Sequence, residues 1–234
     1  MSVELSLRDG VATIALNRPE VRNALNLEMC EDLLRALSQV GDVRLVFVRG
    51  NGPVFCGGAD VKERTGKSEQ WVRERRLKAF AAYEALEALP LPCIALVHGA
   101  AIGSGCEIAA ACDFIVATPE AIFRTPEAQR GTVGATQRLP RILGKRLAKD
   151  LMFTGRDLGA EEARQAGLVS RIVSDLESER ERIQSTILKA SPLALKLAKR
   201  CIDQGVELDP QGARAVEIAA IEEQLAAGQW MGKP

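Results

Sequence analysis

The sequence predicts an α/β protein with interleaved strands and helices in its first part and helices alone at its end. Three observations carry this. Alternating or short apolar runs recur between helical stretches early in the chain. Helical spacing dominates the second half. No repeat or low-complexity linker separates the two parts, so residues 1–188 are expected to form the core and residues 189–234 a helical C-terminal region, a subdomain boundary only.

The elements follow in order. Residues 2–8 alternate as a strand, Asp9-Gly10 is a hairpin turn signal, and residues 11–16 are the partner strand, closed by Asn17-Arg18-Pro19. Residues 26–37 carry Leu27, Cys30, Leu33, Leu34 and Leu37 at helical spacing behind Asn26, a natural N-cap. Residues 44–48 are a strand and Gly50-Asn51-Gly52-Pro53 a loop. Residues 68–89 form a long helix stopped by Pro90 and Pro92; its Trp71, Phe80 and Tyr83 are expected to pack in the core rather than border a pocket. Residues 92–97 are a buried strand, 106–111 a short helix and 114–117 a strand. Helices then cover 137–142, 145–153, 160–166, 174–189, 192–204 and 211–227, with one short strand at 168–173.

Composition narrows the function. The chain has 234 residues, with 31 Lys+Arg against 31 Asp+Glu, so no bulk charge favours nucleic acid or an anionic membrane. No apolar run approaches the ~18 residues needed to span a bilayer. The first residues lack a signal-peptide core, and the 6 cysteines form no CxxC; a reducing cytoplasm is the expected location. His98 is the only histidine, which excludes a His-rich metal site. It ends an apolar run before Gly99 and reads as structural. Acid/base chemistry therefore falls to carboxylates, lysine, cysteine or the lone Tyr83.

Two glycine-rich turns stand out: Phe55-Cys-Gly-Gly-Ala-Asp-Val-Lys-Glu63 and Gly99-Ala-Ala-Ile-Gly-Ser-Gly-Cys-Glu107. The second follows a buried strand and opens a helix, where free N–H groups and the helix dipole favour an oxyanion. Two such turns meeting would make a two-donor oxyanion hole, in which each donor is typically worth about 3 kcal/mol in the transition state. Taken singly, each turn reads equally well as a tight loop or a close helix packing. Neither a P-loop nor a dinucleotide fingerprint fits the second turn. Glu107 lies on the first turn of an apolar helix, where it either complements the dipole or, buried, serves as a proton shuttle with a raised pKa. Glu127 follows Pro126 in a loop and reads either as a first-turn helix residue or as a second acid/base.

These motifs together resemble the crotonase superfamily, the enoyl-CoA hydratase/isomerase family. The resemblance spans nearly the whole chain. It adds Asn17-Arg-Pro-Glu-Val-Arg-Asn-Ala-Leu-Asn26, Ala111-Cys-Asp-Phe114, Thr136-Gln-Arg-Leu-Pro140, Phe153-Thr-Gly-Arg156 and Glu162-Ala-Arg-Gln-Ala-Gly-Leu-Val169. It implies a crotonase-like ββα spiral core with a helical C-terminal region supporting trimers or dimers of trimers. It places an oxyanion hole at the backbone N–H of Ala59 and Ser104, the latter a position where glycine is usual. It assigns binding of the substrate and its coenzyme A portion to Gly58, Ala59, Asp60, Val61, Lys62, Gly103 and Ser104, with Ala59 to Lys62 lining the coenzyme A site. Glu107 and Glu127 fall on the two catalytic glutamates of the family's hydratases. The implied reaction is hydration of the 2,3 double bond of an enoyl-CoA in fatty acid metabolism, with no metal or redox cofactor.

Two departures mark this chain within that pattern. The loop Gly131-Thr-Val-Gly-Ala-Thr136 is shorter than the family's by about three residues and lacks its Pro-Gly. The tail 224–234 is also short, ending before the family's last helix would. Besides hydratase, enoyl-CoA isomerase or another acyl-CoA activity, and non-catalytic acyl-CoA binding, are the alternatives these departures leave open.

Overall fold

The computed structural model describes residues 1–228; residues 229–234, the end of the expected short tail, lie outside the described residues. Strands β1 (Val3–Arg8) and β2 (Val11–Leu16) form an antiparallel hairpin. Asp9 and Gly10 both take positive φ, as a tight hairpin turn requires. A 3-10 turn at Pro19–Val21 leads to α1 (Leu27–Ser38). The Asn26 side chain caps this helix by accepting from the Met29 N–H at 2.9 Å. Then come β3 (Leu45–Gly50), a 3-10 turn at Lys62–Arg64, and α2 (Glu69–Glu87), capped by Ser68. The site-bearing middle runs β4 (Cys93–Val97), β5 (Ala100–Ile102), α3 (Ser104–Ala110), β6 (Phe114–Ala117), β7 (Ile122–Arg124) and a 3-10 turn at Ala128–Arg130. The remainder is α4 (Arg138–Thr154), β8 (Leu158–Gly159), α5 (Ala160–Gln165), β9 (Arg171–Ile172), α6 (Leu176–Ile187), α7 (Pro192–Gly205) and α8 (Pro210–Ala226).

Six strands form one sheet in the order β1-β2-β3-β4-β6-β9, parallel beyond the first hairpin. Both faces are covered, so the central strands read as continuous apolar runs. Val46, Val48, Cys93, Ala95 and Val97 point into the main core with α1 and α2. The alternate residues Leu45, Phe47, Ile94 and Leu96 point to the other face, beneath Ile183 of α6. Phe47 is fully buried, and such a side chain contributes roughly 1.5–3 kcal/mol by burial.

Four differences from expectation have local causes. A second sheet, β5-β7-β8, was not anticipated, because strands of two or three residues are too short to show a period. α3 begins at Ser104 rather than at 106, which puts Ser104 on its first turn. The strand expected at 168–173 shrinks to β9, because the Leu168 and Val169 N–H groups both donate to the Ala163 carbonyl and close α5. The helices expected at 137–142 and 145–153 join as α4, interrupted only at Gly144, whose φ is 74° and ψ 155°. α7 and α8 pack on one another, and Lys199 ties α7 to the core through Asp113 at 2.8 Å.

Candidate active site

The two glycine-rich turns meet because short backbone ladders tie them together. The Cys56 N–H donates to the Ala100 carbonyl, and the Ile102 N–H to the Cys56 carbonyl. On the far side of the first turn, the Leu25 N–H donates to Gly58 and the Asp60 N–H to Leu25. Buried Asn23, at φ 53°, fixes the approach: its amide donates to the carbonyls of Asn51, Val54 and Phe55, and its oxygen accepts from the Arg18 N–H. This accounts for the Asn17–Asn26 motif in physical terms. Between these anchors the Ala59 N–H donates to no acceptor among the described residues. The Ser104 N–H, at the start of α3, donates to none either. Both residues line one cleft with an empty volume of about 770 Å³, open to solvent at its mouth.

Glu107 and Glu127 line the same cleft. Glu107 projects from α3 and is 6% exposed. It accepts from Arg138 Nη1 at 3.1 Å, and the same guanidinium donates to Glu87 at 2.6 Å. Burial pushes the Glu107 carboxyl above its ordinary pKa, and Arg138 opposes that push. Glu127 arrives through β7, because the Gly103 N–H donates to the Arg124 carbonyl and sets β7 beside β5. Its Oε2 is buried without a partner among the described residues. Burial also raises its pKa, and the charge on Glu107 adds to this, against Arg130 and Arg76.

Glycine is required where the two glutamate-bearing segments touch. Gly103 has φ 49°, and a Cβ there would stand 2.4 Å from Glu127 Oε1. The shortened loop closes from the other side: a Cβ on Gly134 would stand 3.1 Å from Glu127 Cγ. Arg76 of α2 holds this loop through the Thr132 hydroxyl and, at 3.3 Å, the Val133 carbonyl.

Of the residues expected from sequence, Gly58, Ala59, Val61, Gly103, Ser104, Glu107 and Glu127 share the cleft. Asp60 and Lys62 do not line it. The Asp60 carboxylate pairs with Arg18 at 3.0 Å and caps the Lys62 N–H, so it braces the turn. Glu63 braces it too, accepting from Arg75 and from the Leu27 N–H. Of the three aromatic residues assigned to core packing, Tyr83 does pack in the core and also lines the cleft, whereas Phe80 is exposed and lines the cleft, and Trp71 joins neither and lies beneath Lys67. Tyr83 is buried; burial pushes its hydroxyl up, and a hydrogen bond with the Ser104 side chain opposes that. Arg138 was missed although it stands in the Thr136–Pro140 motif, since nothing in a helical pattern names its partner.

The family model described as enoyl-CoA hydratase/isomerase matches residues 6–229. The chain belongs to the enoyl-CoA hydratase/isomerase family. It is 41% identical over 221 residues to the enoyl-CoA hydratase domain-containing protein 2 of Bos taurus, covering 89% of this chain and 75% of that one. The enoyl-CoA hydratase of Bacillus anthracis superposes with a TM-score of 0.91 at 35% identity, over 95% of this chain and 90% of that chain. A Thermobifida fusca protein solved in complex with acetoacetyl-CoA superposes with a TM-score of 0.88 at 28% identity, over 97% and 95% of the two chains. The fold is thus the crotonase α/β fold expected from the motifs.

Proposed function

We propose that this family member is an enoyl-CoA hydratase, a lyase that adds water across the 2,3 double bond of an enoyl-CoA thioester. One observation carries the reading: two unsatisfied N–H groups and two carboxyls with raised pKa values line one cleft. The Ala59 and Ser104 N–H groups hold the thioester oxygen and stabilise the enolate-like transition state. Glu107, with Arg138 favouring its ionised form, holds and deprotonates the water that attacks C3. Glu127, with no cation bonded to it, delivers a proton to the α-carbon. Oxygen and one proton of water thereby end on C3, the second proton passes to Glu107, and a proton from Glu127 ends on C2. Proton exchange with solvent resets the two carboxyls.

The acetoacetyl-CoA bound to the Thermobifida fusca protein supports a coenzyme A thioester as the ligand, and the Bacillus anthracis enzyme supports hydration. The chemistry needs no metal or redox cofactor, since coenzyme A is part of the substrate. Assembly as a trimer or dimer of trimers through the C-terminal region belongs to the same proposal; exposed Ile202, Val206, Ile218 and Ile221 on α7, its C-cap and α8 support it. So does a cytoplasmic location, supported by six free thiols.

The test is a panel of enoyl-CoA esters. Loss of the 2-enoyl absorbance on adding protein is expected. Conversion of a 3-enoyl-CoA to its 2-isomer without hydration would replace this reading with isomerase. Acyl-CoA affinity without turnover of any enoyl ester would replace it with a binding role.

A further inference from the structure

The cleft carries a charge imbalance that hydration of a plain enoyl chain leaves unused. The chain as a whole balances 31 basic against 31 acidic residues. Four arginines nevertheless line this one cleft: Arg64, Arg75, Arg76 and Arg130. Arg75 is neutralised by Glu63 at 2.6 Å. The other three meet no carboxylate within ion-pair distance among the described residues. Among the described residues the Arg76 guanidinium bonds only to the Thr132 hydroxyl and the Val133 carbonyl. The Arg64 side chain is half-buried, makes no hydrogen bond among the described residues, and has a buried Nε with no partner. Of the two carboxylates lining the cleft, Glu107 already has Arg138.

Three elements deliver these cations: the 3-10 turn after Ala59, the face of α2, and the end of the 3-10 turn after Glu127. Burial and repulsion from Arg75 and Arg76 pull the Arg64 guanidinium below its ordinary pKa, the mark of a cation awaiting an anion. Arg64, Arg76 and Arg130 line the same cleft as Ala59, Ser104 and Glu127, which places them beside the reacting end of a bound thioester. The phosphates of coenzyme A lie a whole pantetheine arm away from that end. An anion placed here belongs to the acyl chain.

We propose that Arg64, Arg76 and Arg130 select an acyl group bearing a second, terminal carboxylate, so that the substrate class is a carboxylated 2-enoyl-CoA. This rests on the reading of the cleft as an acyl-CoA site, and it is independent of whether the reaction there is hydration. A guanidinium recognises a carboxylate through paired, charge-assisted N–H···O bonds, which a methyl-terminated chain cannot offer.

The experiment compares unreactive esters of equal length, glutaryl-CoA and pentanoyl-CoA, by calorimetric titration of the wild-type protein and the Arg64→Met and Arg130→Met variants. Wild type is expected to bind glutaryl-CoA at least about tenfold more tightly, and each variant to shrink that ratio, because a charge-assisted bond is lost from one ester only. Arg130 is exposed, so its variant reads out even if Arg64→Met fails to fold. A wild-type ratio near one overturns the proposal. A ratio unchanged in both variants, even with both esters weakened, also overturns it and assigns the arginines to coenzyme A phosphates. Turnover of 2-pentenoyl-CoA and glutaconyl-CoA is measured in parallel: a preserved ratio without turnover sinks hydration and leaves this inference standing.

Discussion

The two sides of the cleft solve the same problem, a buried carboxyl, in opposite ways. On the α3 side, Glu107 stands on a helix and receives a charge-assisted bond from Arg138. On the loop side, Glu127 stands at the start of a 3-10 turn, between two glycines that leave it room, and has one oxygen unpartnered. Burial raises both pKa values, but only one carboxyl has a cation bonded to it. The proposed division of acid from base rests on this difference: the Arg138 guanidinium favours the ionised form of Glu107, and Glu127 has no such partner among the described residues.

The largest effect that can break this comparison is expected at Glu127. Glu127→Gln keeps the shape and removes the proton, so hydration should fall by about a thousandfold, within the range of general acid–base catalysis. Acyl-CoA binding should persist. Stability should move the other way. A carboxyl whose folded pKa is raised costs nothing below the ordinary carboxylate range and destabilises as pH rises through its folded pKa. The glutamine removes that cost, so the melting midpoint at neutral pH should rise by about 2 °C. Unchanged turnover would remove Glu127 from the mechanism.

Arg138 is the next lever, since it is what distinguishes the two sides. Arg138→Met leaves Glu107 buried without its cation, so its pKa should climb further. If Glu107 acts ionised, the acidic limb of the pH–rate profile shifts to higher pH. Turnover at neutral pH should drop by about tenfold and recover partly in alkaline buffer. A loss that is the same at every pH would mean that Arg138 only holds α4 against α3.

How much of this was legible in the sequence follows from what kind of signal each part leaves. The α1 boundary with its Asn26 cap, the Asp9-Gly10 hairpin and the β2 limits were readable, because capping and turn chemistry are local. Glu107 and Glu127 were readable as candidates, because carboxylates in apolar or glycine-rich settings are conspicuous. The small β5-β7-β8 sheet was not, and it is what carries Glu127 to Gly103. Arg138 and Tyr83 each sit on a helix, and a helical pattern records which face is apolar without saying which distant residue that face meets. Asp60 and Lys62 stand in the same motif as Ala59 yet do not line the cleft, and the Asp60 carboxylate pairs with Arg18.

The smallest expected effect tests whether Ser104 contributes its side chain or only its backbone. Its N–H stays in place in Ser104→Gly, so turnover should change by less than about threefold, against the roughly 10²–10³-fold cost of deleting a true oxyanion donor. The hydroxyl has other work, since it is a hydrogen-bond partner of the Tyr83 hydroxyl, whose ring lines the same cleft. Removing it strands that phenol, at a cost of about 1–2 kcal/mol in chemical denaturation. Tyr83→Phe should cost about 1 kcal/mol, and the double variant should be less unstable than the sum, because each substitution removes the same bond. Additive losses would show that the two hydroxyls act separately. A hundredfold fall in turnover for Ser104→Gly would mean that the serine hydroxyl itself reaches the thioester oxygen, and the two-donor hole would become a hole of three.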